Sequence, residues 1–300
     1  MNSSLGLSNS RVGILMGIGA YTLWGVLPLY LRALKPLSAI AILSYRVVWS
    51  LLLLLLIALL FRRVGAIRAA LGRPRTALAL LASTLLIASN WLLYIYSVNS
   101  GHALQASLGY FINPLVNVLL GVAILRERLG RIEMVSICLA GAGVAALTIQ
   151  QQALPLIPLG LALSFGLYGL VRKMVGVGAV EGLLVETGLL APFALAWLML
   201  SAANGPAPGP PPATWLLAAS GLITTVPLLL FNGAARRIRY SELGLLQYIG
   251  PTIQLLIAVR IFGEPLLPIH ILTFTLIWTG LIIYAVATWH RGRVTPALPE

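Results

Sequence analysis

Two ionised side chains, Arg46 and Glu186, fall deep inside long apolar runs. Arg46 lies seven residues past the start of its run at Ala39, about 10 Å in at a rise of about 1.5 Å per residue. Glu186 lies about 9 Å from the start of its own run at Val180. A charge at that depth in hydrocarbon is costly and faces a partner or a polar cavity. Two readings stay open. A direct Arg46–Glu186 pair would cancel both charges and leave little to titrate. The two runs enter from opposite faces, however, which leaves about 11 Å of depth between the charges in a core about 30 Å thick. Tilt and the long Arg stem narrow that gap. Unpaired, Arg46 could hold an anionic substrate group, because guanidinium matches carboxylate geometry, and Glu186 would be the proton-coupling residue. Snorkelling or backbone partners are the plainer alternative for Arg46. Trp49, nearly one turn on, could stack beside the guanidinium.

A second constellation is polar and aromatic. Asn90, Trp91, Tyr94, Tyr110, Asn113 and Asn117 lie in the third and fourth apolar runs. Asn232, Gln247, Tyr248 and Gln254 lie in the eighth and ninth, and Tyr21, Trp24 and Tyr168 in the first and sixth. Asn90 and Tyr94 share a helix face at four-residue spacing, as do Asn113 and Asn117. Interhelical hydrogen bonding explains any one of them as well as substrate contact does. Together they describe an apolar-walled cavity with a few polar groups, the usual form of a small-molecule site. Pro114 and Pro251 break one backbone bond each and kink their helices, either as hinges or as static bends.

The same inventory speaks against catalysis. The chain has seven Glu and no Asp. His102, His270 and His290 are scattered near run ends, and no metal or nucleotide motif is present. No cofactor or metal is expected. Cys138 has no intrachain partner and reads as a core residue.

Those residues must be positioned by membrane helices. The 300 residues are 59% hydrophobic and only 9% charged, against about 25% charged in soluble domains. Ten apolar segments are predicted: Val12–Leu31, Ala39–Phe61, Ala77–Val98, Ala103–Leu125, Ile132–Ile149, Leu154–Val171, Val180–Leu200, Thr214–Ala235, Leu243–Phe262 and Ile269–Thr288. Continuous rather than alternating apolar character makes them helices, since lipid forces backbone groups to pair within a segment. The net charge of +13 is then a topology signal and not a nucleic-acid footprint. With the N-terminus inside, 16 of 20 basic residues, Arg172 included, collect on the inner side and three on the outer, with Arg46 within the membrane. Both termini are predicted cytoplasmic.

Self-comparison adds a repeat. At a shift of 137, Leu108, Ile112, Pro114, Leu119 and Glu127 meet Leu245, Ile249, Pro251, Leu256 and Glu264; near 141, Trp24 and Gly25 meet Phe165 and Gly166. The chain divides into residues 1–151 and 152–300, two five-helix repeats. Five is odd, so the second half enters inverted, as in many secondary transporters. The fold expected is all-α and integral to the membrane, with ten transmembrane helices in two inverted repeats around a central cavity.

The motifs LWGVLPLY (Leu23–Tyr30), SYRVVWS (Ser44–Ser50), SNWLLYIYSVNSGH (Ser89–His102), ASLGYFINPLVNVLLG (Ala106–Gly121), LSFGLYGLVRK (Leu163–Lys173) and LLQYIGPTIQ (Leu245–Gln254) followed by FGEP (Phe262–Pro265) carry a resemblance. The chain resembles the drug/metabolite transporter superfamily, in its EamA-type ten-helix branch and there the RarD group. The resemblance covers nearly the whole chain. It implies a bacterial inner-membrane carrier that moves small metabolites without ATP hydrolysis. The function expected is a secondary transporter that exports small organic metabolites or drugs by alternating access. The expected partners are a small-molecule substrate and membrane lipid, with a homodimer left open. A channel or lipid scramblase and a non-transporting membrane assembly partner are the alternatives.

Overall fold

The computed structural model describes residues 9–35, 37–61, 65, 71–125, 131–152, 154–203, 214–235, 237–238 and 246–294. Within these, the side chains of Pro114, Asn117, Asn232 and His290 lie outside the described residues. The described chain is ten helices: α1 (Asn9–Ala33), α2 (Ala39–Leu60), α3 (Pro74–Asn99), α4 (Ala103–Leu125), α5 (Arg131–Gln151), α6 (Leu156–Val175), α7 (Ala179–Ala203), α8 (Thr214–Ala235), α9 (Ile249–Leu256, running into a π-helical turn at Ile257–Ile261) and α10 (Pro268–Val294). Over their described residues, four stretches (Ser10–Ala33, Ala39–Leu60, Pro74–Asn99 and Ala179–Ala203) are long and apolar enough to cross a bilayer.

Local chemistry sets the helix ends. Ser38 caps α2, its hydroxyl accepting from the Ala41 N–H at 3.2 Å. Pro74 opens α3, where its missing N–H is no loss. Gly176 closes α6 in the left-handed conformation at φ 64°. The segments predicted from hydropathy overlap these helices one for one, with ends that differ by up to six residues, as at Val294 against the expected Thr288, and two differences are informative. The sixth helix runs on to Val175, so Arg172 sits in its last turn and not in a loop. The ninth widens into a π-helical turn, where the Phe262 N–H reaches the Ile257 carbonyl at 2.9 Å and the Glu264 N–H the Ala258 carbonyl at 3.0 Å.

Burial differs from that of a water-soluble protein, because large apolar side chains cover the outside while ionised and amide groups join a hydrophobic core. Phe193 (75% exposed), Leu60 and Ile149 cover the outside, while Arg46, Glu186, Asn113 and Gln254 are buried. Lipid solvates the former and the bundle must satisfy the latter. Cys138, expected in the core, is exposed. The reason lies in the packing of α5, which turns Ser136, Ala140 and Gly143 toward α10: Gly143 lies against the Thr273 carbonyl and Gly280 against that of Ser136. Cys138 falls off that small-residue face.

The major helix pairings are α2 with α7 and α8, α1 with α8 and α9, α3 with α6 and α7, α4 with α6 and α9, and α5 with α10. Exchanging each helix for the one five places away returns the same set. At the centre α2 and α7 run antiparallel. Val47 packs with Ala191 and Ala194, whereas Leu54 and Ala58 pack with Leu183 and Leu184.

Candidate functional site

Arg46 and Glu186 hold equivalent places in the two central helices, each seven residues after the helix start at Ala39 or Ala179. Because α2 and α7 are antiparallel, Arg46 is level with the Ala191–Ala194 turn. Glu186 therefore lies about 10 Å away along the axis. The two residues do not pair, and each finds its own surroundings.

Arg46 is 3% exposed. Its Nε donates to Thr224 Oγ1 on α8 at 3.1 Å, and its guanidinium carbon lies 5.2 Å from the Trp91 ring centroid on α3. Its Nη1 is buried with no hydrogen-bond partner. Trp91 takes the stacking position expected of Trp49. Trp49 is 37% exposed, and its backbone packs against Gly221 on α8. Among the described residues, the ionisable side chains that share the electrostatic field of Arg46 are Tyr30, Tyr110 and Tyr94, and no carboxylate is among them. The Tyr30 hydroxyl donates to the Leu216 carbonyl at 2.9 Å. The Tyr94 and Tyr110 rings meet edge to face at 5.4 Å. Tyr110 donates to Asn90 Oδ1 at 3.2 Å, and Asn90 Nδ2 donates to the Leu161 carbonyl and to Ser164 Oγ, both at 3.0 Å. Asn90 is thus tied across α3, α4 and α6. The Tyr94 hydroxyl and both amide atoms of Asn113 are buried without partners.

Glu186 is 0% exposed but well supplied. It accepts from Ser83 Oγ on α3 at 2.7 Å and from the Tyr168 hydroxyl on α6 at 3.2 Å. Arg172 Nε lies 3.8 Å away. Arg172 in turn donates through Nη2 to the carbonyls of Gly178 (3.0 Å) and Val177 (3.4 Å), leaving Nη1 unpartnered. Its guanidinium fills the space where a side chain at Gly182 would stand.

The remaining expected residues divide. Trp24 belongs to a separate aromatic group with Tyr21 (5.6 Å) and Phe231 (5.9 Å), and its carbonyl accepts from Gln254 Nε2 at 3.1 Å. Gln247 and Tyr248 are half-buried beside α9, and the Tyr248 carbonyl accepts from Thr252 Oγ1 at 2.7 Å. Pro251 is buried, its carbonyl accepting from Ser107 Oγ at 2.8 Å, which ties α4 to α9. The side chains of Pro114, Asn117 and Asn232 lie outside the described residues.

Thr224, Ser83 and Arg172 were not singled out as site residues by sequence, and neither was the placement of Glu264. Glu264 Oε1 and Oε2 accept from the Ala103 (2.8 Å) and Leu104 (2.7 Å) N–H groups, so a residue after α9 caps α4. Burial pushes its carboxyl above the usual range, against the pull of the Leu104 and Ala103 N–H groups. It borders a small pocket with Arg32, Lys35, Asn99, Gly101 and Phe262, where Arg32 lies 4.4 Å above the Phe262 ring.

This geometry has known relatives. Residues 11–149 match the EamA-like transporter family. Protein RarD of Escherichia coli is 40% identical over 95% of this chain and 98% of its own length. The chain belongs to the EamA-like transporter family, in its RarD group. A Pseudomonas aeruginosa protein named as an uncharacterized transporter is 44% identical over 96% of this chain and 98% of its own. A solved crystal structure with 18% identity, covering 94% of this chain and 99% of that one, shares the fold at a TM-score of 0.61. This RarD-group chain is therefore a multi-span integral membrane protein of a transporter family.

Proposed function

We propose that the chain is a secondary transporter that exports small organic metabolites or drugs by alternating access, from a bacterial inner membrane and with both termini cytoplasmic. Its halves, residues 1–151 and 152–300, act as inverted repeats. The observation that carries this is the set of helix pairings, unchanged when each helix is exchanged for its counterpart five places on. Two halves built alike can trade conformations and open a shared site to one side and then the other.

In this reading Arg46 and the aromatic groups around it contact substrate, and Glu186 couples transport to protons. A proton on Glu186 would release Arg172, and a carboxylate there would hold it, so one charge pair reports protonation to the α6–α7 junction. Pro251 and Pro114 shape or hinge α9 and α4. The supporting facts are the burial of both charges and the names of the relatives.

The test is flux in proteoliposomes. Saturable substrate movement that grows with an imposed proton gradient is expected. Ion-channel rates without saturation would favour a pore, and no flux of any compound would favour an assembly role. A carboxy-terminal reporter that fluoresces only in the cytoplasm checks the orientation.

A further inference from the structure

Arg46 carries a permanent charge, since a guanidinium does not lose its proton in a protein. It is buried, one of its nitrogens has no partner, and no carboxylate among the described residues shares its field. Glu186 is about two turns away along the antiparallel helix and is engaged by Ser83, Tyr168 and Arg172. A lone buried cation is strongly destabilising. Among the described residues the Thr224 hydroxyl and the Trp91 ring offset it. Neither supplies a counter-charge, which a ligand would.

We infer that the Arg46 site binds a small monocarboxylate with an aromatic or apolar body, an inference that rests on the transporter reading above. The carboxylate takes the hydrogen bond that the buried Nη1 leaves unused, and the unpartnered Tyr94 hydroxyl supplies a second donor nearby. Trp91, 5.2 Å from the guanidinium, and the edge-to-face pair Tyr94 and Tyr110 offer aromatic surface to a flat apolar group. Among the described residues no acidic side chain shares the field of Arg46 to receive an ammonium, so a zwitterionic amino acid would leave its positive end unmatched. The pocket at the same end of the bundle agrees. It lies by the α1–α2 turn, about 10 Å along α2 from Arg46, and presents Arg32 and Lys35, while its carboxylate, Glu264, is held by two backbone N–H groups. Two basic side chains there attract anions to that end of the bundle.

The experiment uses the full chain in lipid nanodiscs, with benzoate, its neutral isostere benzamide, phenylalanine and chloride as probes. Benzoate is expected to raise the unfolding temperature and to bind saturably by calorimetry, with benzamide, phenylalanine and chloride at least about tenfold weaker. Arg46→Gln is expected to abolish the benzoate response, and Thr224→Val, which keeps the charge but frees Nε, to weaken it; the second variant serves if the first does not fold. Equal responses to benzoate and benzamide, a stronger response to phenylalanine or chloride, or no response to benzoate would overturn the assignment. So would a benzoate response that survives in both variants. Saturable flux of a neutral or cationic compound alongside any of these would discard the carboxylate class and keep the transporter; absence of saturable flux for every compound would discard the transporter reading itself.

Discussion

Arg46 and Glu186 occupy the same position of two matched helices, yet the protein treats them in opposite ways. Around Glu186 it supplies a hydroxyl from α3, a phenol from α6 and an arginine whose own fork is anchored on the α6–α7 turn. Around Arg46 it supplies aromatic rings and one threonine, and leaves a nitrogen without a partner. Equal depth in a bundle does not imply equal roles. A buried charge that is fully met inside the chain holds the fold or switches it, whereas a buried charge left over is available to a ligand.

The contrast can be broken most forcefully at Arg172. Arg172→Ala leaves Glu186 buried without a counter-ion and is expected to cost about 3–5 kcal/mol. The double variant Arg172→Met/Glu186→Leu should recover most of that loss in thermal unfolding in detergent. If the single variant is as stable as the parent, Glu186 is not compensated in the way described. Ser83→Ala comes next, removing a 2.7 Å hydrogen bond to a buried carboxylate, with an expected loss of about 1.5–3 kcal/mol. Arg46→Gln, made in the absence of ligand, should sharpen the comparison by its sign. It removes an uncompensated charge, and stability should hold within about 1 kcal/mol or rise; a fall like that of Arg172→Ala would mean that Arg46 is structural.

The smallest effect is at Glu264. Its carboxyl is raised above the ordinary value of 4.5 by burial. The folded chain therefore binds this proton more readily than the unfolded chain does. Its contribution is fully present below pH 4.5 and is lost as pH rises through the folded value. Exposure to solvent screens the effect, so a shallow decline in stability above pH 4.5 is expected, absent in Glu264→Gln. An unchanged decline in that variant would assign it to another group.

Much of this was legible in sequence because lipid leaves a backbone so little choice. Ten helices follow from ten apolar runs, and the axial separation of Arg46 and Glu186 follows from rise per residue and opposite entry. What could not be read were contacts between helices. Trp49 was the aromatic neighbour of Arg46 along its own helix, but the ring that stacks, Trp91, comes from α3. Arg172 looked like a loop charge because it closes an apolar run; only the packing of α6 on α3 and α7 aims it at Glu186. Glu264 stood out as a repeat position, but its role as the cap of α4 needs the α3–α4 turn beside it. Ser83 and Thr224 carry no distinguishing pattern inside an apolar run, and Cys138 faces outward because α5 buries its small residues instead.

The division of labour between the two charges is tested most directly by measuring proton-gradient-driven uptake and downhill exchange in the same proteoliposomes for Glu186→Gln and Arg46→Gln. Glu186→Gln is expected to lose gradient-driven uptake and keep downhill exchange, because substrate still binds. Arg46→Gln is expected to lose both. Normal rates in both assays for Glu186→Gln would make that residue structural, and retained exchange in Arg46→Gln would contradict its place in the binding site.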